Sequence, residues 1–126
     1  MMEDKVYIVR CKDYDDVEDK LGVLLDMMGG MGRFARQDEK IVLKVNLLRE
    51  ARPEAAVSTH PSIVAAVGRL AGETGAVPVI ADSPGGGYRY TRKTLDKIYT
   101  TNRMHQAANQ AGISVNWDTS SRPVSY

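Results

Sequence analysis

The chain has 126 residues, 43% of them hydrophobic and 26% charged, which suits one soluble globular domain with a real core. Seventeen Lys and Arg against sixteen Asp and Glu leave a net charge of +1, and this balance argues against a general nucleic-acid or membrane-surface binder. Cys11 is the only cysteine, so an internal disulfide or a cysteine-based metal site is excluded.

The start, Met-Met-Glu-Asp-Lys, lacks a signal-peptide pattern, no apolar run approaches membrane-spanning length, and the expected address is cytoplasmic. Lys5 to Cys11 ("KVYIVRC") is rich in β-branched and aromatic residues and predicts a first strand. Asp13 is placed to cap a helix with apolar positions Tyr14, Val17, Leu21, Leu24, Leu25 and Met28 at helical spacing. Acidic residues crowd its first turns, where the helix dipole favours them, and Gly29-Gly30 ends it.

Lys40 to Leu48 ("KIVLKVNLL") predicts a second strand buried on both faces, followed by a long polar loop through Pro53. A second helix starts at Thr59 or His60 with Pro61 in its first turn and Gly75 at its close; Ile63, Val67, Leu70 and Ala71 are its expected buried stripe. "VPVIAD" is the third strand, with Pro78 near its start. Two helical pieces follow, broken near Thr100 to Asn102, and Ile113 to Asp118 is a short fourth strand before a polar tail. The expected fold is α/β, in β-α-β-α-β-α-β order, with a mainly parallel four-stranded sheet in a Rossmann-like three-layer arrangement. One domain is expected over 1–119, with a flexible tail at 120–126.

Ligands of such sheets bind beyond the carboxyl ends of the strands. Lys44 and Asn46 come from the second strand end, Thr59, His60 and Pro61 from the second helix start, and Asp82, Ser83, Gly85, Gly86 and Gly87 from the third strand end. Arg89, Arg92 and Lys93 follow the glycines. Successive glycines let backbone N–H groups turn toward an anion, with the arginines adding charge. The loop fits neither the P-loop nor the dinucleotide fingerprint, whose last glycine is Tyr90 here. A solvated basic helix start accounts for the same residues nearly as well, and each residue has a structural reading as a cap or turn. His60 and Asp82 are the candidate acid–base pair. Asp118 is a third conceivable metal ligand beside them, but no ligand spacing supports a metal site. Nucleic-acid binding through Arg89, Arg92, Lys93, Lys97 and Arg103 trails because of the balanced charge. The segment Pro84 to Tyr90 is expected to be mobile when free and to order around an anion.

The motifs "VLKVNLL", "STHPSIVAAVGRLAGETGA" and "VIADSPGGG" together resemble domain-of-unknown-function family 362. Its members carry a Lys-Pro-Asn-like strand end, a Thr-His-Pro helix start and a Gly-Asp-Ser-Pro-like corner. Here Val45 stands at the frequent proline, leaving Lys44 and Asn46 in register. The resemblance implies a redox-associated setting, because many relatives carry a fused four-iron–four-sulfur module; this chain lacks cluster-binding cysteines. It is therefore expected to be the N-terminal part of a longer protein or a shortened member, with no cofactor of its own and any 4Fe-4S cluster elsewhere. The expected function is binding of a small anionic molecule, and the alternative is a non-enzymatic module docking a ferredoxin-like electron carrier or partner subunit. A truncated sheet also leads to an expectation of self-association.

Overall fold

The computed structural model describes residues 4–125, so Met1 to Glu3, where a signal-peptide pattern was sought, and Tyr126 of the expected tail lie outside the described residues. The elements run α1 (Val17–Met27), β1 (Lys40–Leu43), α2 (Pro61–Glu73), β2 (Val77–Ile80), α3 (Arg92–Thr101), α4 (Met104–Ala111) and β3 (Ser114–Val115), with 3-10 turns at Met31–Arg33 and Pro53–Ala55. The sheet is parallel in the order β1-β2-β3, and Leu43 pairs with Ile80 as Ile80 pairs with Val115. The α/β class and the parallel sheet follow the sequence pattern. The strand count does not: three strands are found among the described residues, not four.

The missing strand is Lys5 to Cys11, which is not a strand of the sheet β1-β2-β3. Its residues alternate in exposure as an extended chain does, with Val6 86% and Ile8 82% exposed. β-propensity without a neighbouring edge to pair with makes an extended segment, not a strand. Asp13 does not cap α1 either; its carboxylate accepts the Asp15 N–H at 3.0 Å in a local turn, and the helix begins two residues later, at Val17.

β1 is also shorter than expected, and the reason is at Asn46. Its φ of 55° lies in the left-handed region, which asparagine tolerates better than most residues. The ladder ends with Ala81 N–H donating to the Leu43 carbonyl at 3.1 Å. Beyond it the Val45 carbonyl is taken by Thr59 N–H at 3.0 Å, at the approach to α2. Val45 and Leu47 are fully buried while Val42, Lys44, Asn46 and Leu48 are exposed, so the segment is covered on one face and not on both as expected.

The core lies between the sheet and the helices. Val45, Leu47, Val64, Ile80, Leu95, Ile98, Tyr99 and Met104 form one buried cluster, against which Leu43, Val115 and Trp117 pack. Each such side chain contributes about 1.5–3 kcal/mol on burial. α2 is central: it packs on α1, α4, β1 and β2. Its fully buried residues are Pro61, Val64, Ala65, Ala66, Gly68 and Ala71, whereas Ile63, Val67 and Leu70 of the expected stripe are half-buried. Small residues let α2 lie close to its neighbours. A Cβ at Gly68 would stand 2.6 Å from Ile113 Cδ1 and 3.3 Å from Ala111 Cβ. The predicted break between the last two helices is real, with Arg103 in a left-handed conformation at φ 60°. On the face opposite Leu43, Val42 and Val77 are both more than half exposed.

Candidate functional site

The carboxyl ends of β1 and β2 are joined by Asp82. Its side chain is 9% exposed; one oxygen accepts the Leu47 N–H at 3.1 Å and the other its own neighbour's, Ser83 N–H, at 2.9 Å. Lys44 Nζ donates to Asn46 Oδ1 at 2.9 Å and reaches the same Asp82 carboxylate at 3.4 Å. The Lys44 side chain is nonetheless 67% exposed, so the ammonium stays hydrated and open to the cleft. This ion pair is a surface one on the lysine side, and its net worth is small; the backbone bonds of Asp82 do the bracing.

Above this brace lies a cleft of about 460 Å³ lined by Lys44, Asn46, Leu48, Val57, Asp82, Ser83, Pro84 and Gly85. Four of the expected ligand residues, Lys44, Asn46, Ser83 and Gly85, thus share one concavity with Asp82. Gly85 is held at its edge, its N–H donating to the Leu48 carbonyl at 2.7 Å. Gly86 and Gly87 run on as an open turn; Gly87 has φ 92°, and neither N–H finds an acceptor among the described residues. A larger cavity of about 620 Å³ lies at the opposite edge of the sheet, between Arg69, Glu73, Val77 and Ser114, away from these groups.

Thr59 and His60 serve the helix start instead. Thr59 ties to Val45 through its backbone, and His60 is the N-cap of α2, its Nδ1 accepting Ser62 N–H at 3.2 Å. The ring stacks on Tyr14 with centroids 3.4 Å apart and planes 7° from parallel. Burial holds the His60 pKa below its ordinary value, favouring the neutral imidazole that the cap requires. No hydrogen bond joins His60 to Asp82 among the described residues. Arg89 is exposed and makes no ion pair among them. Lys93 is exposed likewise, whereas Arg92 lies over the Trp117 ring at 4.5 Å, Lys97 pairs with Glu50 at 2.9 Å, and Arg103 stands 3.9 Å from Glu54. No group of three or more His, Cys, Asp or Glu side chains is placed to hold a metal among the described residues.

Sequence reasoning missed the residues that hold the loop after β1. Asn102 is the one buried polar residue among those described, at 1% exposure. Its Oδ1 accepts Ala51 N–H at 2.9 Å, and its Nδ2 donates to the Arg49 carbonyl at 3.2 Å and to Ser58 Oγ at 2.6 Å. Glu50 accepts from Thr101 Oγ1 at 2.8 Å and from Lys97, and these bonds hold its carboxyl below the usual range. Glu50 N–H donates to the Tyr88 hydroxyl at 3.2 Å, tying the glycine turn to the same loop. The only sequence signal for Asn102 is its place in the break between two helical pieces.

With this geometry in view, the family model described as Domain of unknown function (DUF362) matches residues 41–126. The chain belongs to the DUF362 family. The DUF362 span takes in every cleft residue, His60 and Asn102, while α1 and the extended segment precede it. The chain is 38% identical over 85 residues to the thylakoid-associated protein sll1697 of Synechocystis sp. (strain ATCC 27184 / PCC 6803 / Kazusa), an alignment covering 66% of this chain and 26% of that protein. It therefore spans about a quarter of the length of the curated relative it matches. No solved structure matches.

Proposed function

We propose that this DUF362 chain binds a small anionic molecule in the cleft at the carboxyl edge of its sheet. The observation that carries the reading is the exposed Lys44 ammonium, held by Asn46 in the cleft that Ser83 also lines; the N–H groups of Gly86 and Gly87, next in the chain after the cleft residue Gly85, have no acceptor among the described residues. Lys44 supplies charge, Ser83 and Asn46 hydrogen bonds, the glycine turn backbone donors, and Arg89 a further cation at the rim. Asp82 acts as a brace whose carboxylate is already committed to two N–H groups, so this reading assigns binding and no reaction.

The redox setting rests on the family resemblance, with any iron–sulfur cluster in another part of a longer protein. Four exposed apolar side chains, Val6, Ile8, Val42 and Val77, support a fuller Rossmann-like sheet, with a fourth strand and a second covering layer, in that longer protein. The chain is read as working at a cytoplasmic address, with its likeness to a protein named as thylakoid-associated marking a second candidate setting; no helix among the described residues is long and apolar enough to cross a membrane.

The test is calorimetric titration with phosphate, pyrophosphate and small carboxylates, in wild type and in Lys44→Met. The reading expects one site whose affinity drops about tenfold or more when the charge-assisted contact is lost. Equal binding by both proteins would remove Lys44 from the site, and absence of binding by any of these anions would favour the docking-module alternative.

A further inference from the structure

Asn102 grips the loop after β1 at its two ends. Its acceptors are the Arg49 carbonyl and Ser58 Oγ, and the residues immediately before these two, Leu48 and Val57, are the ones that line the cleft. Between them it also takes the Ala51 N–H. One buried amide therefore binds both ends and the early turn of the segment that forms the cleft wall.

The orientation of that amide is fixed by its partners. Ala51 N–H requires an acceptor and the Arg49 carbonyl requires a donor, so Oδ1 and Nδ2 have one consistent assignment. A buried polar group satisfied in this way has one favourable arrangement and costly alternatives. The other ties of the loop run through Glu50, to Lys97, Thr101 and the Tyr88 hydroxyl, and through the Glu54 pair with Arg103, all on exposed or half-buried side chains; between Arg49 and Ser58 only Ala51 is buried. Asn102 itself is held rigidly, at the C-cap of α3, where its own N–H donates to the Ile98 carbonyl at 2.8 Å.

We infer that Asn102 is a positioning residue that sets the separation of Leu48 and Val57, and through it the width of the cleft. The inference rests on the anion-binding reading for its consequence, but the positioning itself is a property of the free protein. Gly85 is bonded to the Leu48 carbonyl, so the same gauge sets where the glycine turn starts. Asn102 touches no ligand in this account.

Two variants separate positioning from folding. Asn102→Asp keeps an acceptor for Ala51 N–H but loses the amide donors to Arg49 and Ser58; Ser58→Ala removes one half-buried contact and leaves α3 untouched. Methyl resonances of Leu48 and Val57 are recorded in the free proteins, with amide resonances of β1 and β2 as the control for an intact sheet. Inorganic phosphate and pyrophosphate are then titrated in. The expected result is shifted Leu48 and Val57 methyls with an unperturbed sheet in Ser58→Ala, a larger displacement in Asn102→Asp, and affinity falling about threefold to tenfold in the same order. Unchanged methyls in a folded Ser58→Ala protein, or shifted methyls with wild-type affinity, would overturn the inference. Shifted methyls in a protein whose wild type binds neither anion would retain Asn102 as the gauge of the loop and sink the anion reading alone.

Discussion

Gly85 N–H donates to the Leu48 carbonyl at 2.7 Å, and a Cβ on Gly85 would lie 2.6 Å from that same oxygen. The three glycines are therefore not equivalent. Gly85 is required by a close backbone approach and Gly87 by its φ of 92°, whereas a Cβ on Gly86 would meet open space. Gly85→Ala is expected to cost about 1–3 kcal/mol through overpacking and the displaced hydrogen bond. Gly87→Ala is expected to cost about 1–2 kcal/mol through left-handed strain. Gly86→Ala should leave stability within about 0.5 kcal/mol of wild type. Urea unfolding of the three variants checks the order; a Gly86→Ala protein as damaged as Gly85→Ala contradicts it.

Tyr99 is fully buried, and its hydroxyl donates to the Asn116 carbonyl at 3.3 Å. Burial, with smaller contributions from Tyr90 and Asp82, pushes its pKa up to about 12. An unfolded tyrosine ionises near 10, so the unfolded chain loses this proton first. The stabilisation from neutral Tyr99 is complete below pH 10 and is lost as pH rises from about 10 toward 12. Phenolate absorbance should show one of the six tyrosines titrating late and together with unfolding. Tyr99→Phe, which keeps the ring, should lose that alkaline phase.

His60 has the opposite dependence. Burial lowers its pKa from 6.5, so its contribution is full above that value and falls away as pH drops through the folded value. Ring-proton titration by NMR should place the His60 pKa below the ordinary 6.5. Tyr14→Ser, by uncovering the stacked face, should move His60 back toward 6.5; an unmoved titration would show that the stack does not desolvate the ring.

Much of this arrangement was legible in the residues themselves. The alternation of strand-like and helix-like segments gives the parallel sheet; Pro61 marks the start of α2, and Gly75 and the glycine pair at 29–30 follow the helix ends. Lys44, Asn46 and Asp82 were placed together because parallel strands deliver their carboxyl ends to one edge. Two kinds of information were not local. Whether "KVYIVRC" pairs depends on a free sheet edge within reach, which composition does not encode. The partners of Asn102 lie about fifty residues away in sequence, and a buried asparagine has the same letter as a turn or cap asparagine. The stacking partner of His60 was hidden for a related reason: Tyr14 comes from before α1, at a separation no motif spans.

The most direct measurement of the central claim is a map of amide shifts as phosphate or pyrophosphate is added to the wild-type chain. The account predicts saturable shifts at Ser83, Gly85, Gly86 and Gly87, with Leu48 and Val57 following and the β1–β2 ladder unmoved. Shifts confined to Arg92, Lys93 and their neighbours at the start of α3, or no saturable shift at the glycines at millimolar anion, would contradict it.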